Sequence, residues 1–257
     1  MFKDTPKILL KFDKVNFGYE KNQPILFDVS FSILENEYVC IIGANGCGKS
    51  TVGKIIAGLF KPWNGSIIFK DQIITKKNVK QLKDKTGIVF ENPNNQFIGS
   101  SVEDDIAFGL ENQCVARERM QCIIEDTAKY TGTFDLLKSD VNSLSGGQKQ
   151  LVAITSVMAM NPELIVFDEA TSMLDNKSKN KINELILSLK NKKHKTIVNI
   201  THDMDEAAKA DKIIVMNQGK VILIGTPNQV FNDSKLESLS LDKPFVYKLN
   251  QRINNAK

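Results

Sequence analysis

Gly43-Ala44-Asn45-Gly46-Cys47-Gly48-Lys49-Ser50 fits the pattern G-x-x-x-x-G-K-[ST] and lies between an apolar run, Tyr38 to Ile42, and a stretch of helical periodicity. In that stretch Val52, Ile55, Ile56 and Leu59 recur at i, i+3, i+4 and i+7, so the spacing predicts four apolar side chains on one helix face. A glycine-rich turn between strand and helix suits phosphate binding: backbone N–H groups turn inward around a phosphate, and the helix adds its positive dipole end. Lys49 is expected to reach the β- and γ-phosphates, and Ser50 to offer its hydroxyl to Mg²⁺. Gly43, Ala44, Asn45, Gly46, Cys47, Gly48, Lys49, Ser50 and Thr51 are thus the expected nucleotide contacts. A glycine turn that binds nothing is the weaker reading, because strand, loop and helix agree.

Working outward, Gly87 to Phe90, Leu164 to Asp168 and Thr196 to Ile200 are short apolar runs suited to buried strands. They alternate with helical patterns such as Ile182, Leu185, Ile186 and Leu189. Met120, Ile123 and Ile124, then Leu151, Ile154 and Met158, mark helices with no strand signal between them, so roughly Asn92 to Met160 reads as a helical region inserted into an α/β core. Lys212 to Met216 and Lys220 to Ile224 flank Asn217-Gln218-Gly219 and read as a hairpin. Phe2 to Phe17 alternates as an antiparallel strand against the core. The run Leu164 to Phe167 ends in Asp168 and Glu169; Asp168 is expected in the Mg²⁺ shell and Glu169 as the group that polarises an attacking water.

Composition narrows the function classes. The 257 residues carry 34 Lys+Arg against 30 Asp+Glu, a formal charge of +4, with 42% hydrophobic residues. A chain of this size buries roughly 70–75% of its unfolded surface, enough for a full core without staples. Disorder, collagen and disulfide scaffolds are excluded, and the longest apolar runs fall far short of the ~18–20 residues of a membrane span. The N-terminus lacks the pattern of a signal peptide, which reads as a cytosolic chain. Cys40, Cys47, Cys114 and Cys122 form no Cys-x-x-Cys pair and lie far from His194 and His202, so reduced, mostly buried thiols are expected rather than a zinc site. Lysine-rich runs at 70–85 and 177–195 carry no interleaved aromatics and read as solvated faces, with no nucleic acid expected.

Leu144-Ser145-Gly146-Gly147-Gln148 resembles the signature of ATP-binding cassette (ABC) ATPases. Tyr19 matches the aromatic that stacks on adenine, Asp175 in Ser172-Met173-Leu174-Asp175 matches the D-loop, and His202 in Thr201-His202-Asp203 matches the switch histidine of the γ-phosphate. Asn92-Pro93-Asn94-Asn95-Gln96-Phe97, Val102 to Gly109, Ala170 to Asp175, Leu144 to Gln150 and Leu241 to Val246 resemble the ATPases of energy-coupling factor (ECF) vitamin and metal importers, of the EcfA or CbiO type, and favour the first of two sister ATPases.

That resemblance implies a P-loop NTPase fold: a RecA-like α/β core with an antiparallel β subdomain, at 1–91 and 161–225, an inserted α-helical ABC subdomain at 92–160, and a C-terminal helical extension at 226–257 offering a dimer contact. It implies ATP and Mg²⁺ as ligands. Glu169, His202 and Lys49 become the catalytic candidates, Ser50, Asp168 and Glu91 the metal candidates. Tyr19, Glu91, Ser145, Gly146, Gly147, Gln148 and Asp175 join the phosphate loop as nucleotide contacts. It further implies a head-to-tail ATPase dimer, a transmembrane coupling subunit of EcfT type received around Glu91 to Ser101, a substrate-binding membrane S component, and a place on the cytoplasmic side of the membrane. Other importer classes, and ABC proteins acting on nucleic acid or ribosomes, are the alternatives; the latter usually carry two cassettes or a long coiled-coil insertion.

Two departures stand out. Glu91 occupies the position of a usual glutamine; a carboxylate only accepts hydrogen bonds and adds negative charge near three phosphates. Leu151 follows Gln150 where arginine is common, which suggests a packing difference, and Gln96, five residues after Glu91, is not expected to replace the glutamine.

Overall fold

In the computed structural model, which describes residues 7–239 and 241–249, the chain opens with two long strands, β1 (Ile8–Glu20) and β2 (Gln23–Leu34). It then enters the central sheet at β3 (Tyr38–Gly43), passes through the glycine loop into α1 (Lys49–Ile56), and forms β4 (Asn64–Phe69) and β5 (Gln72–Ile73). α2 (Val79–Lys85) leads to β6 (Thr86–Val89), followed by α3 (Val102–Asn112), α4 (Arg117–Thr131) and α5 (Gly146–Ala159). Strands and helices then alternate as β7 (Leu164–Asp168), α6 (Asn176–Lys193), β8 (Thr196–Ile200), α7 (Met204–Ala207) and β9 (Lys212–Asn217). β10 (Lys220–Gly225), α8 (Pro227–Phe231) and α9 (Ser234–Ser238) close the fold.

One sheet is antiparallel, in the order β2-β1-β4-β5. The other runs β10-β9-β3-β8-β7-β6, parallel except for the β9–β10 hairpin. The parallel strands are apolar along their length because both faces are covered. Val39 and Ile41 of β3 pack with Val52, Ile55 and Ile56 of α1 and with Phe12 and Phe31 of the antiparallel sheet, whose rings stack at 4.5 Å. On the other face Cys40 and Ile42 join Ile154 of α5 and Ile182, Ile186 and Leu189 of α6. Each fully buried Ile, Leu or Val contributes about 1.5–3 kcal/mol. A third cluster, built on Val102, Ile106, Leu110, Ile124 and Ala128, unites α3 and α4 with Val152 and Ala159 of α5. Helix α5 thus serves two cores at once.

The structure corrects three expectations. Leu59 does not continue the stripe of α1: the helix stops at Ile56 and Leu59 is 47% exposed. Gly58, at φ 69°, reverses the chain, with its N–H on the Ile55 carbonyl and the Leu59 N–H on the Lys54 carbonyl, a pairing that caps the last carbonyls of a helix. The thiols are not mostly buried: Cys40 and Cys47 are buried, whereas Cys114 and Cys122 are exposed. Strand β1 spans Ile8–Glu20, beyond the expected Phe17 end, and the first part of the expected strand lies outside the described residues. Of the C-terminal extension, α8, α9 and a helical turn at 245–249 are described, with the Tyr247 ring 5.0 Å from that of Phe231. Residues 250–257 lie outside the description.

Because Gly58 holds a left-handed conformation, Gly58→Ala is expected to cost about 1–2 kcal/mol of unfolding free energy. Urea titration reads this as a lower midpoint at unchanged slope; a midpoint equal to wild type contradicts the capping role.

Candidate active site

All parallel strands end at one edge of the sheet, the edge where open α/β sheets bind ligands. The loop after β3 turns on Gly48, at φ 103°, where a Cβ would sit 2.7 Å from Leu26 Cδ2. Position 48 therefore excludes both side-chain bulk and ordinary backbone geometry. Lys49 is 4% exposed and its Nζ donates to the carbonyls of Gly43 (3.0 Å) and Ala44 (3.1 Å), so the ammonium lies folded across its own loop. Ser50 Oγ donates to Asp168 Oδ1 at 2.8 Å, joining the start of α1 to the end of β7 across the intervening β8. Burial raises the Asp168 carboxyl above the ordinary aspartate range; the Ser50 hydrogen bond opposes the rise and the charges of Glu169 and Glu91 add to it. A cation beside Asp168 relieves that cost.

Glu169 follows at φ 53°, a sparsely populated conformation for a residue with a side chain, held by its N–H on the Ile200 carbonyl at 2.9 Å. Its Oε2 lies 3.1 Å from Nδ1 of His202, which is exposed. In the tautomer that carries Nδ1–H, the imidazole donates to the carboxylate and keeps Nε2 as an acceptor. Ser172 Oγ lies within donating distance of both Glu91 Oε1 (3.1 Å) and the Glu169 carbonyl (2.9 Å), tying the segment after β6 to the turn after β7.

A cavity of about 480 Å³ is lined by Tyr19, Ile25, Asn45, Gly46, Gly48, Lys49, Ser50, Thr51, Glu91 and Glu169. Tyr19 is half-exposed, braced edge-on by Phe17 and Phe60 at 5.3 Å each, and its hydroxyl meets Thr51 Oγ1 at 3.2 Å. Glu91 is set by its neighbours: the Gln96 amide spans the Phe90 N–H and the Ile88 carbonyl, and Gln150 Nε2 donates to the Phe90 carbonyl. Gln96 is thus occupied by backbone, and Leu151 is buried in the core. Hard oxygen donors, Ser50 and Asp168 with Glu91 and Glu169 close by, suit Mg²⁺, which takes one or two carboxylates plus substrate phosphates. Among the described residues no cluster of His, Cys, Asp and Glu forms an all-protein metal cage.

Gly43, Ala44 and Cys47 belong to the loop without lining the cavity, and Ser145, Gly146, Gly147, Gln148, Asp175 and His202 are also absent from its wall. Ser145 caps α5 in a reciprocal pair with Gln148, and a Cβ on Gly146 would meet nothing within 4 Å. Asp175 caps α6, accepting from the N–H groups of Lys177 and Ser178 and from the Ser178 hydroxyl. Sequence reasoning missed Ile25 on the cavity wall and the bridging Ser172; the alternation of β2 marks Ile25 only as a strand residue, and nothing in the sequence pairs positions 91 and 172.

The ABC transporter family model matches residues 26–172, from β2 through the acidic turn. The chain is 53% identical over 243 residues, 94% of its length and 83% of the relative's, to the energy-coupling factor transporter ATP-binding protein EcfA1 of Ureaplasma parvum serovar 3. It is similar in structure to cbiO1 from Clostridium perfringens, part of the ABC transporter complex cbiONQ, with a TM-score of 0.82 and 32% identity over 95% of this chain and 99% of that one. The ATP-binding cassette MJ0796, in a dimeric post-hydrolysis state bound to ADP and Pi, matches with a TM-score of 0.75 and 29% identity over 84% and 98% of the two chains. With a phosphate loop, an acidic strand end and a signature helix all carried on this one fold, the chain belongs to the ABC transporter family, in its group of energy-coupling factor ATP-binding proteins.

Proposed function

We propose that this chain is the ATP-hydrolysing subunit of an energy-coupling factor importer and works as one half of a head-to-tail ATPase pair. The observation that best supports the reading is the convergence, at one sheet edge, of the Lys49 loop, the Ser50–Asp168 bond and the Glu169–His202 contact. Tyr19 offers its braced face to adenine. As a triphosphate enters the loop, Lys49 exchanges its two carbonyl contacts for phosphate oxygens, and the N-terminus of α1 adds its dipole. Ser50, Asp168 and Glu91 would hold Mg²⁺, which would neutralise charge on the phosphates. Glu169 takes the proton of the attacking water as general base, and His202 fixes the orientation of that carboxylate and contacts the γ-phosphate.

Ser145, Gly146 and Gly147, on the exposed start of α5, face the γ-phosphate held by the partner ATPase, a second copy or a sister protein. Closure then depends on the γ-phosphate and hydrolysis reopens the pair. Residues 1–91 and 161–225 act as the nucleotide core and 92–160 as the signature arm. The surface around Glu91 to Ser101 receives a transmembrane coupling subunit of EcfT type, which works with an S component that captures a vitamin or transition-metal ion. No helix among the described residues is long and apolar enough to cross a membrane. Through these partners the chain sits peripherally on the cytoplasmic side of the membrane.

Replacing the general base without altering its shape tests the mechanism: Glu169→Gln should lower turnover by on the order of 10²–10⁴-fold and accumulate a closed, ATP-loaded pair in light scattering. A variant that cycles at the wild-type rate removes Glu169 from this role. Glu91→Gln should raise turnover at saturating Mg²⁺, because it removes one negative charge beside the phosphates, and raise the Mg²⁺ midpoint, because the cation loses an anionic ligand. Titration of the hydrolysis rate against Mg²⁺ reads both, and curves that superimpose on wild type refute the assignment.

A further inference from the structure

One carboxylate behind the catalytic turn is almost completely withdrawn from solvent. Glu206, on α7, is 2% exposed. Its Oε1 accepts from Thr171 Oγ1 at 2.7 Å and Asn183 Nδ2 at 3.1 Å, its Oε2 accepts from Asn199 Nδ2 at 3.3 Å, and Lys179 Nζ lies 3.7 Å from Oε1. Stripping a carboxylate of water is unfavourable unless its lone pairs are satisfied. Here four donors from three elements, the turn after β7, α6 and β8, converge on it. Burial opposes the charge on Lys179, yet Asp203 and Glu206 hold its ammonium above the usual lysine range, so the cation stays in place.

The connections close a ring through the active site. Thr171 stands two residues after Glu169 in a turn whose Ser172 N–H bonds back to the Glu169 carbonyl at 3.1 Å. Glu206 stands four residues after His202 on a helix capped by Asp203, whose Oδ1 accepts from the N–H groups of Asp205 (2.7 Å) and Glu206 (3.1 Å). Asp203 also pairs with Lys179. From Glu169 through Thr171, Glu206 and Asp203 to His202, and across the 3.1 Å contact back to Glu169, each link is a hydrogen bond or a few bonds of chain. Besides their own contact, the two segments are tied at the strand ends by the Glu169 N–H on the Ile200 carbonyl, and beyond the turn by the Glu206 carboxylate.

We propose that Glu206 is a positioning residue for ATP hydrolysis: it locks the turn presenting Glu169 to the helix following His202 and thereby sets the geometry between them. Lys179 and Asn183 sit on α6, whose first turn is capped by Asp175, so the same carboxylate registers α6 against the catalytic pair. The amide of Glu206→Gln turns an NH₂ group toward a site whose neighbours are all donors, which leaves at least one of them unpaired.

The inference rests on the hydrolysis mechanism above, and the test separates the two. Steady-state hydrolysis is measured on the full-length chain assembled with its partner ATPase. Glu206→Gln should lower kcat about tenfold or more while KM for ATP stays within about twofold, since the adenine and phosphate contacts are untouched. On a His202→Ala background the same substitution should change the rate by less than about twofold, because the contact it positions is already gone. A raised KM with kcat retained, or an equal loss on both backgrounds, overturns the proposal. If Glu206→Gln does not fold, Thr171→Val, which removes a single donor, carries the same pair of measurements. Glu206→Gln with Asn199→Asp returns a carboxylate to the cluster and should recover kcat; recovery of thermal stability without kcat overturns the positioning role. A wild-type complex that does not hydrolyse ATP counts against the mechanism itself instead.

Discussion

A single hydrogen bond, Ser50 to Asp168 at 2.8 Å, joins two parts of the chain 118 residues apart, and the rest of the site is arranged around it. It spans the position of β8, so it forms only if β3, β8 and β7 are paired in the observed register. That register is set by apolar burial: Ile41 and Asp168 both lie opposite Ile200, with Val39, Ile165, Val166 and Val198 filling the two faces below. Slipping one strand by a single residue would exchange its buried faces and carry the acid away from the hydroxyl. Packing far from the cavity therefore sets the position of the polar groups within it.

Helix α5 extends that dependence to the helical region. Leu151 and Ile154 anchor it in the central core while Val152 and Ala159 anchor it in the α3–α4 cluster, so it cannot move with one and ignore the other. Gln150, fully buried on the same helix, holds the Phe90 carbonyl at 3.0 Å, next to Glu91. A displacement of the signature end of α5 is thereby felt at position 91, and through the Ser172 hydroxyl at the turn carrying Glu169. The leucine at position 151, buried in the central core, strengthens the core anchor of this lever.

Much of this was legible in the sequence because it depends on local rules. Four of the five parallel strands were visible as apolar runs, the fifth as one arm of a hairpin around a glycine turn, and the loop as a spacing that only a strand-to-helix turn accommodates. What escaped was nonlocal or conformational. Periodicity counted Leu59 into α1 because a stripe of apolar residues carries no record of Gly58 turning the chain away. The thiols of Cys114 and Cys122 looked buried because cysteine usually is, but both lie outside the helix stripes that face a core. Nothing local in Asp203-Met204-Asp205-Glu206 marks Glu206 as buried. Its four donors come from positions 171, 179, 183 and 199, and only the folded chain collects them.

The charge on the cavity explains why such positioning matters. Glu91 and Glu169 line it and Asp168 stands directly behind Ser50, whereas Lys49 is the only lysine on its wall among the described residues. A pocket with more carboxylates than ammonium groups is a poor host for a bare triphosphate. Coulomb repulsion between unit charges about 4 Å apart reaches roughly 4 kcal/mol near a protein surface. In the proposed mechanism, tight closure then requires charge supplied from outside the chain, by a divalent cation at Ser50 and Asp168 and by the helix start of the partner ATPase. A site poised in this way binds weakly alone and firmly only when both arrive, which makes assembly of the pair conditional on the γ-phosphate. In the proposed mechanism the same surplus of carboxylates makes orientation decisive: Glu169 must present one oxygen to water without bringing its charge onto the phosphate. Its left-handed backbone, the His202 contact and the buried lock at Glu206 all restrict that single rotation.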